Sequence, residues 1–154
     1  TLKGGSDLQP LSEELAQIRR ILRVESVRYG DRLRVVEDIG HGCLDVAVPP
    51  LLLQPLIENA LKHGIAELVE GGEIRIAVSC AGSRLVVRVE NPVDPDCPSA
   101  GGAGVGLANV RSRLENAFGE EATFRSSRAQ NSYIAEIAIP IVRTESPAED
   151  SIDD

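Results

Sequence analysis

The sequence predicts an α+β domain of two layers, with one face of a sheet covered by helices and the other at least partly exposed or covered by a partner. Three observations carry that expectation. Apolar residues recur at helical spacing over residues 12–29, 53–64 and 107–114. Apolar and polar residues alternate in the stretches between and after them, and four of these strands form two pairs with short connections. The chain has 154 residues, 42% of them hydrophobic, which is enough for one domain with a sizeable core. Aromatic residues make up only 3%, so Leu, Ile, Val and Ala must fill that core.

Taken in order, residues 1–9 form a loose leader, with Gly4 and Gly5 unsuited to the interior of an element. Ser12, Glu13 and Glu14 open a helix that runs to about Tyr29. Its apolar stripe is Leu15, Ile18, Ile21, Leu22 and Val27, and Arg19, Arg20 and Arg23 are most simply its solvent face. Gly30 and Asp31 turn the chain into a half-buried strand over 32–39, and a loop follows over 40–45. Residues 46–50 lead into the central helix, 53–64, where Pro55 allows two readings. Either the helix proper begins near Gln54 or a short turn precedes it, because proline removes a backbone donor.

Gly71 and Gly72 break the chain before the strand 73–79, whose Ile74, Ile76 and Val78 alternate with Glu73, Arg75 and Ala77. A turn at 81–83 returns it as a strand over 85–91, with Leu85, Val87 and Val89 on one face. Residues 92–103 follow neither period and are expected to be a mobile loop. A helix resumes through Leu107, Val110 and Leu114 and is capped by Gly119. Residues 121–126 and 132–139 form a closing hairpin, and 146–154 is an acidic tail with nothing to pack, expected to be disordered.

Composition narrows the function. A formal net charge of −8 and a pI of about 4.8 argue against a nucleic-acid surface. An anionic nucleotide would need local help from backbone amides, a metal ion and a few basic groups. Cys43, Cys80 and Cys97 are odd in number and form no C-x-x-C pair, which reads as reduced thiols in a cytosolic protein. No apolar run is long enough to cross a bilayer and no signal peptide is visible. The start at Thr1 suggests a fragment of a longer protein.

Two motifs carry chemistry. On the central helix Asn59, Lys62 and His63 stand at i, i+3 and i+4, so they project together opposite the apolar stripe. Asn can give a metal ion a neutral oxygen, and Lys and His can donate to phosphate oxygens, as a Mg-bound polyphosphate requires. The second motif is Gly102-Ala103-Gly104-Val105-Gly106-Leu107, a G-x-G-x-G-L run opening into a helix. Glycines let amides approach phosphate, and a helix N-terminus adds unpaired donors and a favourable dipole. Taken singly, each has a plainer explanation: an amphipathic helix with a solvated face, and a flexible linker.

Together, separated by a hairpin, they resemble the ATP-binding catalytic domain of sensor histidine kinases. This is the Bergerat (GHKL) ATPase fold shared with heat-shock protein 90, type II topoisomerases and MutL. The run VPPLLLQPLIENALKHG at 48–64 looks like the N box of the LytS/AlgZ subgroup, and GVGLANVRSRL at 104–114 like its G2 box and following helix. The segment 14–33 matches the stretch just before the domain, so the resemblance covers about 11–142. It implies a two-layer α/β sandwich with a mixed, mostly antiparallel sheet. It divides the chain into a leader and connecting helix (1–30) from an upstream phosphoacceptor domain, the ATP-binding domain (31–143) and the tail (144–154).

The resemblance also assigns roles. Asn59 would hold Mg²⁺ bridging the ATP phosphates, and Lys62 and His63 would contact phosphate or ribose oxygens. Gly102, Gly104 and Gly106, running into Leu107, would form the lid whose amides meet the phosphates. Asn59 and Lys62 are thus the expected catalytic residues. Asn109, Arg111 and Arg113 could touch phosphates from the lid helix, and solvated faces explain them as well. Glu58 is most simply an i, i+4 partner of Lys62.

Two departures matter. The family's adenine-binding Asp is Asn91 here, followed by Pro92 in place of the usual glycines. Asn still offers an amide oxygen to an exocyclic amine, although a neutral acceptor bonds more weakly than a charged one. ATP-hydrolysing relatives carry a Glu one turn before the N-box Asn, and this chain has Pro55 there. The resemblance therefore implies ATP held for an external nucleophile, a His on an upstream dimerisation domain, with the phosphoryl group passing on to a response regulator. His41 and His63 are the two histidines, and neither lies in a plausible acceptor helix. The implied setting is the cytoplasmic part of a membrane-bound, homodimeric sensor. The alternative is a degenerate module of the same fold that regulates without kinase activity.

Overall fold

The computed structural model describes residues 8–96, 104–129 and 131–143. The expected loop over 92–103 is described only as far as residue 96, and its remainder and the acidic tail lie outside the described residues, as does most of the leader. The end of that leader is not loose. Gln9–Pro10 (β1) pairs antiparallel with Ala47–Val48 (β3), and α1 follows at once as Leu11–Tyr29. Leu11, Leu15, Ile18 and Leu22 are buried, whereas Val27, expected on the same stripe, is 85% exposed. Val24 and Val27 in the last turns face solvent, and only Tyr29 there returns to the core. Arg19 also departs from expectation: it makes a bidentate ion pair with Glu37, at 2.7 and 3.0 Å, and ties α1 to the next strand.

That strand is β2 (Leu33–Ile39), the edge of a five-stranded sheet in the order β2-β4-β5-β7-β6. The others are β4 (Gly72–Ala81), β5 (Arg84–Pro92), β6 (Thr123–Arg128) and β7 (Ser132–Pro140). β2 runs parallel to β4 and every other pairing is antiparallel, so the sheet is mixed and mostly antiparallel as expected. The parallel pair follows from its connection: the chain between β2 and β4 carries a whole helix, α2 (Gln54–His63), as a crossover must.

One sheet face presents Ile74, Ile76, Val78, Leu85, Val87, Val89, Ala135, Ile137 and Ile139 to the helices, all buried. The other carries charge. Arg75 stands opposite Glu90, Arg88 opposite Glu136, and Glu136 opposite Arg125, so opposite signs neighbour across the strands. The third helix, α3, spans Gly104–Phe118, beginning earlier than the sequence suggests, and buries Leu107, Val110, Leu114 and Phe118. Gly119 ends it with φ +62°, the left-handed turn expected of a glycine cap. α1 shares one core with α2, α3 and the sheet.

Candidate functional site

α2 begins at Gln54 with Pro55 in its first turn, where the missing donor costs nothing because early helix N–H groups have no intrahelical acceptor. Leu56, Ile57, Ala60 and Leu61 are buried, and α2 packs against both β5 and α3. Asn59 and His63 are half-buried and Lys62 is exposed. Among the described residues, none of these three side chains has a hydrogen bond or ion pair. They are polar groups without an internal task. Glu58 corrects the expectation: its Oε2 accepts from Gln54 Nε2 at 2.9 Å, one turn back, and no ion pair with Lys62 forms. Both partners are exposed, and an ion pair in water is worth too little to dictate rotamers.

Glu14 holds the entry to α2, and sequence reasoning missed it. Although charged, it is 0% exposed. Its carboxylate accepts from the Leu53 N–H at 2.8 Å, the Leu51 N–H at 3.3 Å and Gln9 Nε2 at 2.7 Å. Leu51 has φ +61°, a conformation a leucine rarely adopts, so the carboxylate holds a strained turn as well as a helix start. A signal was available. Glu14 falls on the apolar stripe of α1, beside Leu11, Leu15 and Ile18, where a solvated carboxylate does not belong.

Asn91 continues the inward series Leu85, Val87, Val89 on β5 and is 2% exposed. Its Nδ2 donates to the Pro92 carbonyl at 2.8 Å. It meets the C-terminal end of α2 at Gly64: a Cβ there would strike Asn91 Nδ2, and would stand 2.5 Å from the Ala60 carbonyl and 2.9 Å from that of Pro92. Only glycine lets the helix end and the strand end come this close. Gly64→Ala is therefore expected to cost about 2–3 kcal/mol, as overpacking against backbone does. Urea unfolding checks it, and a loss under 0.5 kcal/mol (roughly the scatter of surface changes) would contradict the contact.

Gly102 lies outside the described residues. Gly104 and Gly106 fall in the first turn of α3 instead of a loop before it, and Leu107 is buried at 5%. Their N–H groups thus belong to the unpaired set at a helix N-terminus. Arg111 points elsewhere: its guanidinium lies 5.0 Å over the Phe124 ring, and Nη1 is 3.4 Å from the Phe124 carbonyl oxygen. A hollow of about 470 Å³ at the end of the sheet where Asn91 stands is lined by Arg34, Glu73, Arg75, Glu90 and Asn91. Its mixed charges select no anion. Among the described residues no group of His, Cys, Asp and Glu gathers to hold a metal, so a cation here would need oxygens from its ligand as well as from Asn59.

No protein-family model matches the chain. It is 30% identical over 120 residues to the sensor histidine kinase BtsS of Escherichia coli K12, covering 78% of this chain and 21% of that protein. The sensor protein LytS of Staphylococcus saprophyticus is 33% identical over 127 residues, 75% of this chain and 22% of its own. The chain thus spans about a fifth of the length of the curated relatives it matches. Among solved structures, the catalytic domain of the histidine kinase ThkA superposes with a TM-score of 0.63 at 16% identity, covering 89% of this chain and 97% of that one. Full-length ShkA in complex with AMPPNP gives 0.62 at 20% identity, over 91% of this chain and 32% of its own. By sequence about three quarters of the chain is similar to part of the LytS-like sensor histidine kinases, and its fold is that of the histidine kinase catalytic domain.

Proposed function

We propose that this chain binds Mg-ATP between α2 and the start of α3, and presents the γ-phosphate to a histidine on an upstream dimerisation domain. The observation that carries this is the set Asn59, Lys62 and His63, unengaged among the described residues on a helix packed against α3. Bound Mg²⁺ would neutralise phosphate charge and orient the γ-phosphate for transfer. The donor set fits such an ion: Asn59 is half-buried, and its neutral amide oxygen has no partner among the described residues. Lys62 and His63 donate to phosphate or ribose oxygens, and the N–H groups of Gly104 and Gly106 to phosphate. Asn91 offers its amide oxygen to the adenine amine from a water-poor position.

The carboxylate that hydrolysing relatives carry one turn before the Asn has no counterpart on this helix. Pro55 stands one turn before Asn59, and Glu58 is exposed and turned to Gln54. Positioning is what the residues supply, so the isolated chain is expected to bind ATP and turn it over slowly. The acceptor histidine, the response regulator and the dimeric, membrane-anchored context belong to the part of the protein beyond this chain. No helix among the described residues is long and apolar enough to cross a membrane. The kinase names of the sequence relatives favour this reading over a silent regulatory module. Calorimetric titration of the chain with ATP, with and without Mg²⁺, tests it. Saturable binding that tightens with Mg²⁺ is expected, and no binding at millimolar nucleotide overturns it.

A further inference from the structure

We propose that Cys43 and Cys80 form an oxidisable dithiol that a hydroperoxide closes into an intramolecular disulfide. Cys43 sits in the loop between β2 and β3 and is fully buried; Cys80 stands near the end of β4 and is half-buried. Their sulfurs are 3.0 Å apart and both thiols are free. Closing to a bond of about 2.05 Å takes a shift of roughly one ångström. The backbone holds them there. The Gly40 N–H donates to the Val78 carbonyl at 2.7 Å, and a Cβ on Gly40 would lie 3.0 Å from that oxygen and 3.3 Å from Cys43 Sγ. The loop is thus laid flat against β4 beside the thiol pair. In sequence the two cysteines are 37 residues apart and look like isolated reduced thiols.

The accessible partner acts first. The Cys80 thiolate attacks one oxygen of the peroxide, the O–O bond breaks, and the second oxygen leaves with a proton as water or, from an organic hydroperoxide, as the alcohol. Cys80 becomes a sulfenic acid. The Cys43 sulfur then attacks the Cys80 sulfur, the S–O bond breaks, and hydroxide departs with the Cys43 proton as water. With hydrogen peroxide, two thiols and one oxidant give one disulfide and two waters. Burial, and next the contact with Cys80, push the Cys43 thiol up from 9.0 to about 11, with Arg143 and Asp45 acting in opposite senses. Cys43 therefore does not make the first attack, and it gives up its proton only as it attacks Cys80 in the second step. The bond would tie both ends of the segment 43–80, which carries β3 and α2, and its chemistry does not depend on nucleotide binding.

The test uses the full chain carrying Cys97→Ser, treated with hydrogen peroxide, then denatured, alkylated with N-ethylmaleimide and mapped by mass spectrometry. The expected result is a monomer lighter by two hydrogens, with neither thiol alkylated and one peptide pair joined through Cys43 and Cys80. Dithiothreitol restores both thiols, and adding Cys80→Ser abolishes the cross-link. Two alkylated thiols after peroxide, a sulfinic acid on Cys80 without cross-linking, or disulfide-linked dimers in place of the internal bond would each overturn the proposal.

Discussion

Asn59→Ala is expected to weaken Mg-ATP binding roughly 10- to 100-fold, the loss of about 1.5–3 kcal/mol that follows when one ligand to a charged group is removed. Folding should be nearly unaffected. Asn59 is half-buried on α2 and, among the described residues, makes no hydrogen bond that the substitution would break. Alanine is also the better helix former, by a few tenths of a kcal/mol. The two effects separate cleanly: calorimetry reads the affinity and a melting curve reads the fold. The same substitution should reduce the benefit of adding Mg²⁺, because the amide oxygen is the protein's proposed contribution to the ion. Unchanged affinity in the presence of Mg²⁺, with an unchanged melting curve, would remove Asn59 from the site.

The second large effect concerns stability. Glu14→Ala is expected to destabilise the chain by about 3–5 kcal/mol, since it leaves the buried Leu53 N–H and the part-buried Leu51 N–H without their acceptor. That is a large part of the roughly 5–15 kcal/mol that holds a domain folded. The cost concentrates at the turn before α2, where Leu51 is held at φ +61°. Amides at Leu51 and Leu53 should then exchange with solvent faster than those in the middle of β5. Glu14→Gln keeps the shape and one carbonyl oxygen, so it should fall between wild type and alanine. Urea unfolding orders the three proteins, and an alanine variant within 1 kcal/mol of wild type (roughly an average point mutation) would show that Glu14 does not hold the turn.

The strands show what local pattern can reveal. Alternation in 73–79 and 85–91 placed Ile74, Ile76, Val78, Leu85, Val87 and Val89 on one face, and the coordinates bury all six. Period-2 geometry leaves no freedom here, because a one-residue slip would turn every apolar side chain to water. The same alternation carries Asn91 inward. What it could not show is that Asn91 meets the carbonyl of Pro92 and the backbone of Gly64, which come from the next residue and from a different element. The start of α3 was legible only in part. Glycines weaken a helix locally, yet Gly104 and Gly106 lie within it, with Leu107 and Val110 packed into the core just beyond.

Charged residues were the least legible. Arg19 and Glu58 both looked like members of simple helix faces. Arg19 instead found Glu37 across the gap to β2, and Glu58 found Gln54. Surface pairs differ by tenths of a kcal/mol, so the choice among them is made by which side chains the fold brings near.

By itself the sequence determined the main helices and strands, the buried faces of the sheet, the two motifs and the family resemblance, since all of these are written in residue type and short-range period. Tertiary structure alone decided the parallel pairing of β2 with β4, the grip of Glu14 on the entry to α2, and the meeting of Cys43 with Cys80. Each joins residues some 37 to 39 positions apart, and no local periodicity encodes which distant groups will share a buried point once the chain has closed.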